Sequence, residues 1–284
     1  MGKLEFLKAL GLKGRRLKVS DSSENNEYDW GRYRKPVGFL SLLAVVIVLA
    51  AWRAEVDLGM LWENAPRGFD QLGEHFPPDL GVVGTMLRES LITVAMALLA
   101  TPLGGLLSLA LGLAAAKNIS PEPIRSVARG LISIERAMPE IVVLLFLIVV
   151  FGIGYFAGIM ALAIGCIGML GRLLADAIEE IDKKVVESVE VVGVSKSQLI
   201  RYAILPEVLP AFISNLIFRF EVNIRASVVL GAVGAGGIGY ELGKAMDLSD
   251  YNQATTAILV IVGLVLISER ISDALRKKVD AKSG

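Results

Sequence analysis

Long runs of hydrophobic residues, rather than an alternation at helical or strand period, organise most of this chain of 284 residues. A helix needs roughly 20 mostly apolar residues to cross the ~30 Å hydrocarbon layer of a bilayer. Six runs approach or exceed this length, and they cover residues 37–52, 85–115, 138–156, 157–174, 209–230 and 255–271. The pattern predicts an all-α fold, a polytopic membrane bundle with six transmembrane helices.

The distribution of lysine and arginine predicts the orientation of these helices. Only Arg53 and Arg67 separate the first two runs, only Lys244 separates the last two, and neither residue type occurs between the third and fourth. Basic residues are concentrated before the first run, in the loops after the second and fourth runs, and after the sixth. Because cytoplasmic loops carry the excess of basic residues, both termini are predicted to lie in the cytoplasm.

The same pattern divides the chain into four segments. Residues 1–35 are a basic cytoplasmic segment, and residues 36–84 hold a first helix and an acidic outer loop with one short surface helix. Residues 85–275 form a core with an exposed helical element at about 185–204, and residues 276–284 are a cytoplasmic tail. Residues 3–18 are basic with interspersed leucines, so they either lie on the anionic inner leaflet or form a solvated tail.

Composition excludes several classes of function. The 29 basic and 29 acidic residues cancel, so the chain has no net positive charge for binding nucleic acid. The single cysteine, Cys166, excludes a disulfide framework and is predicted to be a small packing residue, and the single histidine, His75, argues against a Ser/His catalytic site. No G-x-x-x-x-G-K-[ST] motif occurs, so we expect no cofactor in this chain and ATP and Mg²⁺ on a partner.

A glycine-rich string follows the fifth run and fits the pattern G-x-G-x-x-G. A dinucleotide-binding fold needs a strand before this motif and a soluble βαβ unit around it, whereas here a membrane helix precedes it. We interpret the string as a flexible outer loop whose glycines permit close approach or gating, and its members are Gly234, Gly236, Gly237 and Gly239.

Small residues repeat at helical spacing in the second to fourth runs. Gly104, Ser108 and Gly112 recur every four positions and share one helix face, and the fourth run is similarly rich in glycine and alanine. Because small faces let helix backbones approach closely in lipid, the repeat predicts tight packing between these helices.

The cytoplasmic loop between the fourth and fifth runs is patterned. An apolar stripe at helical spacing, formed by Val185, Val186, Val189 and Val192, ends at Gly193. The sequence Ser195-Lys-Ser-Gln198 is a capping box and predicts a second helix from Lys196 to about Ile204. We expect that helix to end before Pro206, because the residue before a proline avoids the helical region. The product is a helix–glycine turn–helix that either packs on its own protein or docks into a partner.

This loop resembles the EAA loop of ABC importer permeases. Glu187, Gly193, Leu205 and Pro206 stand at the spacing of that family's pattern, while Ser188 and Val189 replace its two alanines and Ala203 replaces its first isoleucine. The resemblance implies a type I ABC importer permease fold. It also implies that the segment is a coupling helix, seated in an ABC ATPase subunit dimer through Glu187, Gly193, Ala203, Leu205 and Pro206.

Three further strings resemble the phosphonate-importer permease family, and the similarity covers roughly residues 80–275. They begin at Arg201, Arg219 and Val233 and read RYAILPEVLP, RFEVNIRAS and VGAGGIG. The resemblance implies a bacterial inner-membrane permease for a phosphonate or another phosphorus oxyanion. It implies a second permease chain, identical or homologous, and an outer solute-binding protein as further partners.

Ionisable residues lie near the middle of the fifth run, where each costs roughly 2.5–3.5 kcal/mol on insertion scales and must face protein or water. Glu221 and Arg225 are four residues apart and can pair on one helix face. Either Arg219 or Arg225 lines the pathway and attracts an oxyanion, or the cluster is a structural ion-pair network that includes Glu140 or Asp176. Asn223 has the same two interpretations, so the candidate pathway residues are Arg219, Glu221, Asn223 and Arg225.

Three functions are compatible with a polytopic membrane protein. A transport permease explains the mid-membrane charges, the exposed cytoplasmic helix pair and the missing ATP-binding loop together. A membrane-embedded enzyme needs a catalytic set that these runs do not contain, and a channel has no need of the docking element. The sequence therefore favours a permease that changes access when its partner hydrolyses ATP.

Overall fold

A computed structural model of the chain describes residues 30–75, 77–191 and 193–283. Within those ranges all regular secondary structure is helical, which confirms the predicted all-α bundle. The basic stretch of residues 3–18 and Val192 of the loop stripe lie outside the described residues.

The chain divides into two compact units, Met1–Pro66 and Arg67–Gly284. The described part of the first unit contains helix α1 (Trp30–Arg53), which includes the first apolar run. Helix α2 (Leu58–His75) begins in this unit and ends in the next, and it is the surface helix predicted for the outer loop. Asp57 starts α2, because its carboxylate accepts hydrogen bonds from the backbone N–H groups of Gly59 at 2.8 Å and Met60 at 3.1 Å.

The second unit holds nine further helices in the described residues. In chain order they are α3 (Val83–Ala115), α4 (Glu122–Ala137), α5 (Glu140–Phe151), α6 (Tyr155–Glu180), α7 (Lys183–Glu190), α8 (Lys196–Leu199), α9 (Leu205–Leu230), α10 (Ile238–Asp247) and α11 (Tyr251–Ser283). Four continuous helical stretches are long and apolar enough to cross a membrane, and they contain α3, α6, α9 and α11. The apolar parts of α1 and α5 are shorter.

The third crossing differs from the predicted continuous span of residues 138–156. Helix α5 has 12 residues and a length of about 18 Å, less than the hydrocarbon thickness. Pro139 starts it, since proline lacks the N–H that a continuing helix needs, and Gly152, with φ +85°, ends it.

Helix α4 precedes α5 and packs along the same helix, α6, nearer to its end at Glu180. Along α6, Gly171 lies against Ile132 of α4, Gly168 against Glu135 of α4, and Gly165 against Glu140 of α5. The two helices therefore follow α6 in succession, with a break at Met138 and Pro139. Glu135 lies beside Gly168, which is 12 residues, or about 18 Å, from the end of α6 at Glu180.

Helices α3 and α6 pack through the predicted small residues. The hydroxyl of Ser108 donates to the carbonyl of Gly104 at 2.6 Å and lies 3.2 Å from the carbonyl of Cys166. A Cβ on Gly104 would overlap the carbonyl oxygen of Ala163, so only glycine allows this approach. Cys166 is fully buried between the helices, which confirms its prediction as a packing residue.

The second helix of the cytoplasmic loop does not end before Pro206 as predicted. Helix α8 continues through a π-helical turn, Ile200–Ile204, directly into α9. In an α-helix the ring of Pro206 would crowd the carbonyl four residues earlier. The wider turn, in which the N–H of Leu205 bonds to the carbonyl of Ile200, lets the chain stay helical through the proline.

Candidate functional site

The turn between α7 and α8 is fixed by local hydrogen bonds. Asp182 accepts from the N–H of Lys184 at 3.0 Å and starts α7. Gly193 has φ +77°, a conformation that glycine adopts without strain. Ser195 and Gln198 form the predicted capping box, in which the side chain of each residue accepts a hydrogen bond from the backbone N–H of the other. The helix–glycine turn–helix of the sequence prediction is therefore present.

One side of this segment packs against the rest of the protein, and the other side is exposed. Ala203 and Ile204 are buried, and Ile204 packs in a cluster with Ile178 of α6 and Val208 of α9. In contrast, Val191 is 87% exposed and Tyr202 is 67% exposed. Of the five residues predicted for coupling, Glu187, Gly193 and Pro206 are exposed, Leu205 is half-buried and Ala203 is buried.

A carboxylate near the end of α6 holds the connection between α3 and α4. Glu179 accepts hydrogen bonds from the backbone N–H of Lys117 at 2.8 Å and from Arg129 at 2.5 Å. The side chain of Asn118 adds a bond of 2.8 Å to the carbonyl of Ile178. The sequence analysis missed this junction, because its partners are 50 to 62 residues apart along the chain.

The four polar residues predicted for the pathway lie on different faces of α9. Arg219 is 6% exposed and forms an ion pair with Glu140 of α5, one of the two partners named from the sequence. Asn223, fully buried, donates to the hydroxyl of Thr101 on α3 at 2.9 Å and lies 3.4 Å from the sulfur of Cys166.

Glu221 and Arg225 face α11 instead. They form the predicted i, i+4 pair at 2.6 Å. Arg276 of α11 approaches Glu221 at 3.8 Å, bonds to Asp273 at 2.5 Å, and lies over the ring of Phe218 at 5.4 Å. These contacts join the C-terminal part of α11 to the middle of α9. The charges of this group are balanced within the protein.

A cavity of about 500 Å³ opens on the face of α6 where α4 ends and α5 begins. Arg219 is the one predicted pathway residue among those lining it. The lining residues are Glu135, Arg136, Met138, Glu140, Gly165, Gly168, Met169, Arg172, Leu173 and Arg219. Arg172 also pairs with Asp176 at 2.7 Å, as the i, i+4 spacing suggests.

The glycine-rich string is a compact turn followed by a helix. Gly234, Gly236 and Gly237 have φ of +112°, +90° and +72°, whereas Gly239 lies inside α10, so the loop interpretation was wrong for Gly239. The helix forms because the turn ends at Gly237 and the N–H of Ile238 finds an acceptor, the hydroxyl of Thr93 on α3, at 3.0 Å. The string does permit close approach, since a Cβ on Gly239 would overlap the carbonyl oxygen of Val228.

Comparison with known proteins adds sequence relatives and a similar structure. Residues 108–281 match the family described as binding-protein-dependent transport system inner membrane component. The chain is 34% identical to the phosphite transport system permease protein PtxC of Stutzerimonas stutzeri, over 86% of this chain and 89% of that protein. It is 38% identical to the phosphate-import permease protein PhnE of Mycolicibacterium smegmatis, over 72% of this chain and 38% of that protein. Its fold resembles a chain of the methionine ABC transporter MetNI in an inward-facing conformation, with TM-score 0.63 and 25% identity over 71% of this chain and 99% of that chain.

Proposed function

The chain belongs to the family of binding-protein-dependent transport system inner membrane components, and from that premise we propose that it is the permease of an ATP-driven importer for a phosphorus oxyanion. It is a multi-pass membrane protein and a transporter subunit. The finer parts of the proposal are its partners, its substrate class and the residues that serve each.

The observation that carries the proposal is the exposed turn between α7 and α8. Both flanking helices carry N-terminal caps, and the helical segment that follows the turn packs on α6 and α9 through Ile204. The exposed Val191 supplies an apolar contact for a partner's groove. An ABC ATPase dimer bound there would move the inner ends of α6 and α9 as it closes on ATP, and the bundle would alternate between outward and inward access.

The substrate class follows from two independent supports. The relatives PtxC and PhnE carry the names of a phosphite system and of a phosphate importer, which are both phosphorus oxyanions. In addition, three arginines line the mid-membrane cavity, and guanidinium groups match tetrahedral oxyanions in a fork geometry. The second candidate is an importer of another small solute, which the fold similarity to the MetNI transporter favours.

The remaining partners complete the transport path. A second permease chain, identical or homologous, would cover the charged face around the cavity, since charged side chains do not face lipid. An outer solute-binding protein would deliver the ligand, and both termini would lie on the cytoplasmic side of the inner membrane. The outer gate at Gly234, Gly236, Gly237 and Gly239, and the pathway roles of Glu221, Asn223 and Arg225, stay predictions.

Uptake by the reconstituted importer tests the proposal. The permease is purified with its ATPase, sealed in proteoliposomes with ATP inside, and supplied with the binding protein outside. We expect ATP-dependent uptake of phosphite, methylphosphonate or phosphate, and none of methionine. Uptake that does not depend on ATP would indicate a channel, and ATP-driven uptake of methionine alone would favour the second candidate.

A further inference from the structure

The break between α4 and α5 brings one helix end and three arginines to the same cavity. Arg136 reaches it from the last turn of α4, Arg172 from α6 and Arg219 from α9. Arg136 lies two residues before the third apolar run of the sequence. In the structure it lies against Gly168 of α6, and both residues belong to the wall of the cavity.

Arg136 is the arginine of the lining that forms no ion pair in the described part of the chain. Three guanidinium groups line the cavity, and the carboxyl groups of Glu135, Glu140 and the adjoining Asp176 balance their formal charge. Glu140 pairs with Arg219 and Asp176 pairs with Arg172. Among the described residues, Arg136 has no hydrogen-bond or ion-pair partner.

Arg219 keeps unused donors although it is paired. The guanidinium carries five N–H donors, and Glu140 engages the Nη2 atom. The Nε atom is buried and has no hydrogen-bond partner in the described structure, in a side chain that is 94% buried. A buried donor without an acceptor is costly, and an anion in the cavity would satisfy it.

The N-terminus of α5 adds a third source of positive potential. Met138 and Glu140 both line the cavity, so the helix begins at its wall. No side chain caps this end, because the capping position is occupied by Pro139. The first N–H groups of a helix have no acceptor within the helix and favour a nearby anion.

We propose that this cavity is a holding site for the transported tetrahedral oxyanion, bound between Arg136, Arg219 and the N-terminus of α5. The inference rests on the proposed function and gives its substrate a place halfway across the membrane. Glu140 keeps Arg219 from binding the anion too tightly, because the anion shares the guanidinium with a carboxylate. The site therefore holds the anion weakly enough to release it to the cytoplasm.

Protection of an introduced cysteine tests the site directly. Met169→Cys puts a thiol in the cavity wall. The unsubstituted chain, in which Cys166 is fully buried, measures the background labelling. The purified permease–ATPase complex, without binding protein, is labelled with N-ethylmaleimide, an uncharged thiol reagent. We expect phosphite, methylphosphonate or phosphate to slow labelling in a saturable manner, and methionine at equal ionic strength to have no effect.

Arginine variants assign the effect to the proposed residues. In the Met169→Cys background, Arg136→Gln should raise the half-protecting oxyanion concentration about tenfold, the effect of losing one charge-assisted hydrogen bond. Arg136→Lys keeps the charge and should give a smaller change. Arg270→Gln removes an exposed arginine of α11 outside the cavity and should leave protection unchanged.

The outcomes separate this inference from the proposed function. Unaltered labelling in the presence of every phosphorus oxyanion, a thiol that N-ethylmaleimide never reaches, or protection that survives Arg136→Gln would each overturn the site. ATP-dependent uptake by the unsubstituted importer is measured in parallel. If that uptake persists while protection is absent, only the holding site is wrong, and if no oxyanion is taken up, the proposed function is wrong.

Discussion

Arg219 of α9 and Glu140 of α5 form an ion pair in the interior of the bundle, although 79 residues separate them in the sequence. Gly165 of α6 makes this pair possible, since a Cβ at that position would lie 2.7 Å from the carboxylate and 2.9 Å from the guanidinium. The pair joins three helices at the point where the third crossing is broken. It is both a structural contact and one wall of the cavity.

The two roles of this pair can be separated by charge removal. Glu140→Leu leaves the buried Arg219 without its counter-ion and should cost about 2–3 kcal/mol, somewhat less than a fully buried pair because Glu140 is partly exposed. Adding Arg219→Met should restore most of that stability, since two apolar side chains need no partner. Thermal unfolding of the detergent-solubilised complex measures both.

Transport should respond differently from stability. The double variant has a stable bundle but lacks a guanidinium of the proposed site, so uptake in proteoliposomes should stay low. Recovery of uptake together with stability would show that the pair is structural alone.

Gly165→Ala tests the space that the ion pair needs. The added methyl group would force Arg219 and Glu140 apart, so we expect lower thermal stability and reduced uptake. The matched control is Gly263→Ala on α11, where nothing lies within 4 Å of the added Cβ. That change should be neutral or stabilising by up to about 1 kcal/mol, because alanine favours helix over glycine. Equal effects of the two substitutions would contradict the packing described here.

The sequence predicted those features that depend on local pattern. Apolar length identified the helices, four-residue spacing identified the Glu221–Arg225 pair, and the Ser195–Gln198 box identified the start of α8. The small face of Gly104 and Ser108 predicted the close packing of α3 on α6. Each of these signals lies within a few residues of the structure it predicts.

Features that depend on distant partners were not predictable in the same way. Pro139 was visible in the sequence, but whether it began a full span or divided a crossing depended on how α4 packs against Gly168 and Gly171. The cavity followed from that break. The π-helical turn before Pro206 likewise exists because α8 and α9 are both held by packing, and no local signal distinguishes it from a helix end.

Gly193 should matter for its backbone conformation rather than its size. Nothing lies within 4 Å of a Cβ at this position, but φ is +77°. Valine is strained in this region by about 1–3 kcal/mol, whereas asparagine tolerates it. We expect Gly193→Val to abolish the stimulation of ATP hydrolysis by loaded binding protein and Gly193→Asn to retain most of it. Normal coupling in the valine variant would argue that the turn does not transmit the motion.

Asn223 should contribute to helix association. Its bond to Thr101 joins α9 to α3, and interhelical bonds in membrane proteins contribute about 0.6 kcal/mol on average. We expect Asn223→Ala to lower the unfolding temperature slightly and to leave uptake per folded complex near that of the unsubstituted importer. A loss of uptake at unchanged unfolding temperature would place Asn223 in the pathway instead.

The most direct test of the account is whether the turn between α7 and α8 contacts the ATPase. A photo-crosslinking residue is placed at Val191, and a second complex carries it at Leu248, which is 70% exposed near the end of α10. The account predicts an ATP-sensitive crosslink from position 191 to the ATPase subunit and none from position 248. A turn that crosslinks only to its own chain or to nothing, in a complex that still hydrolyses ATP, would contradict the proposed importer function.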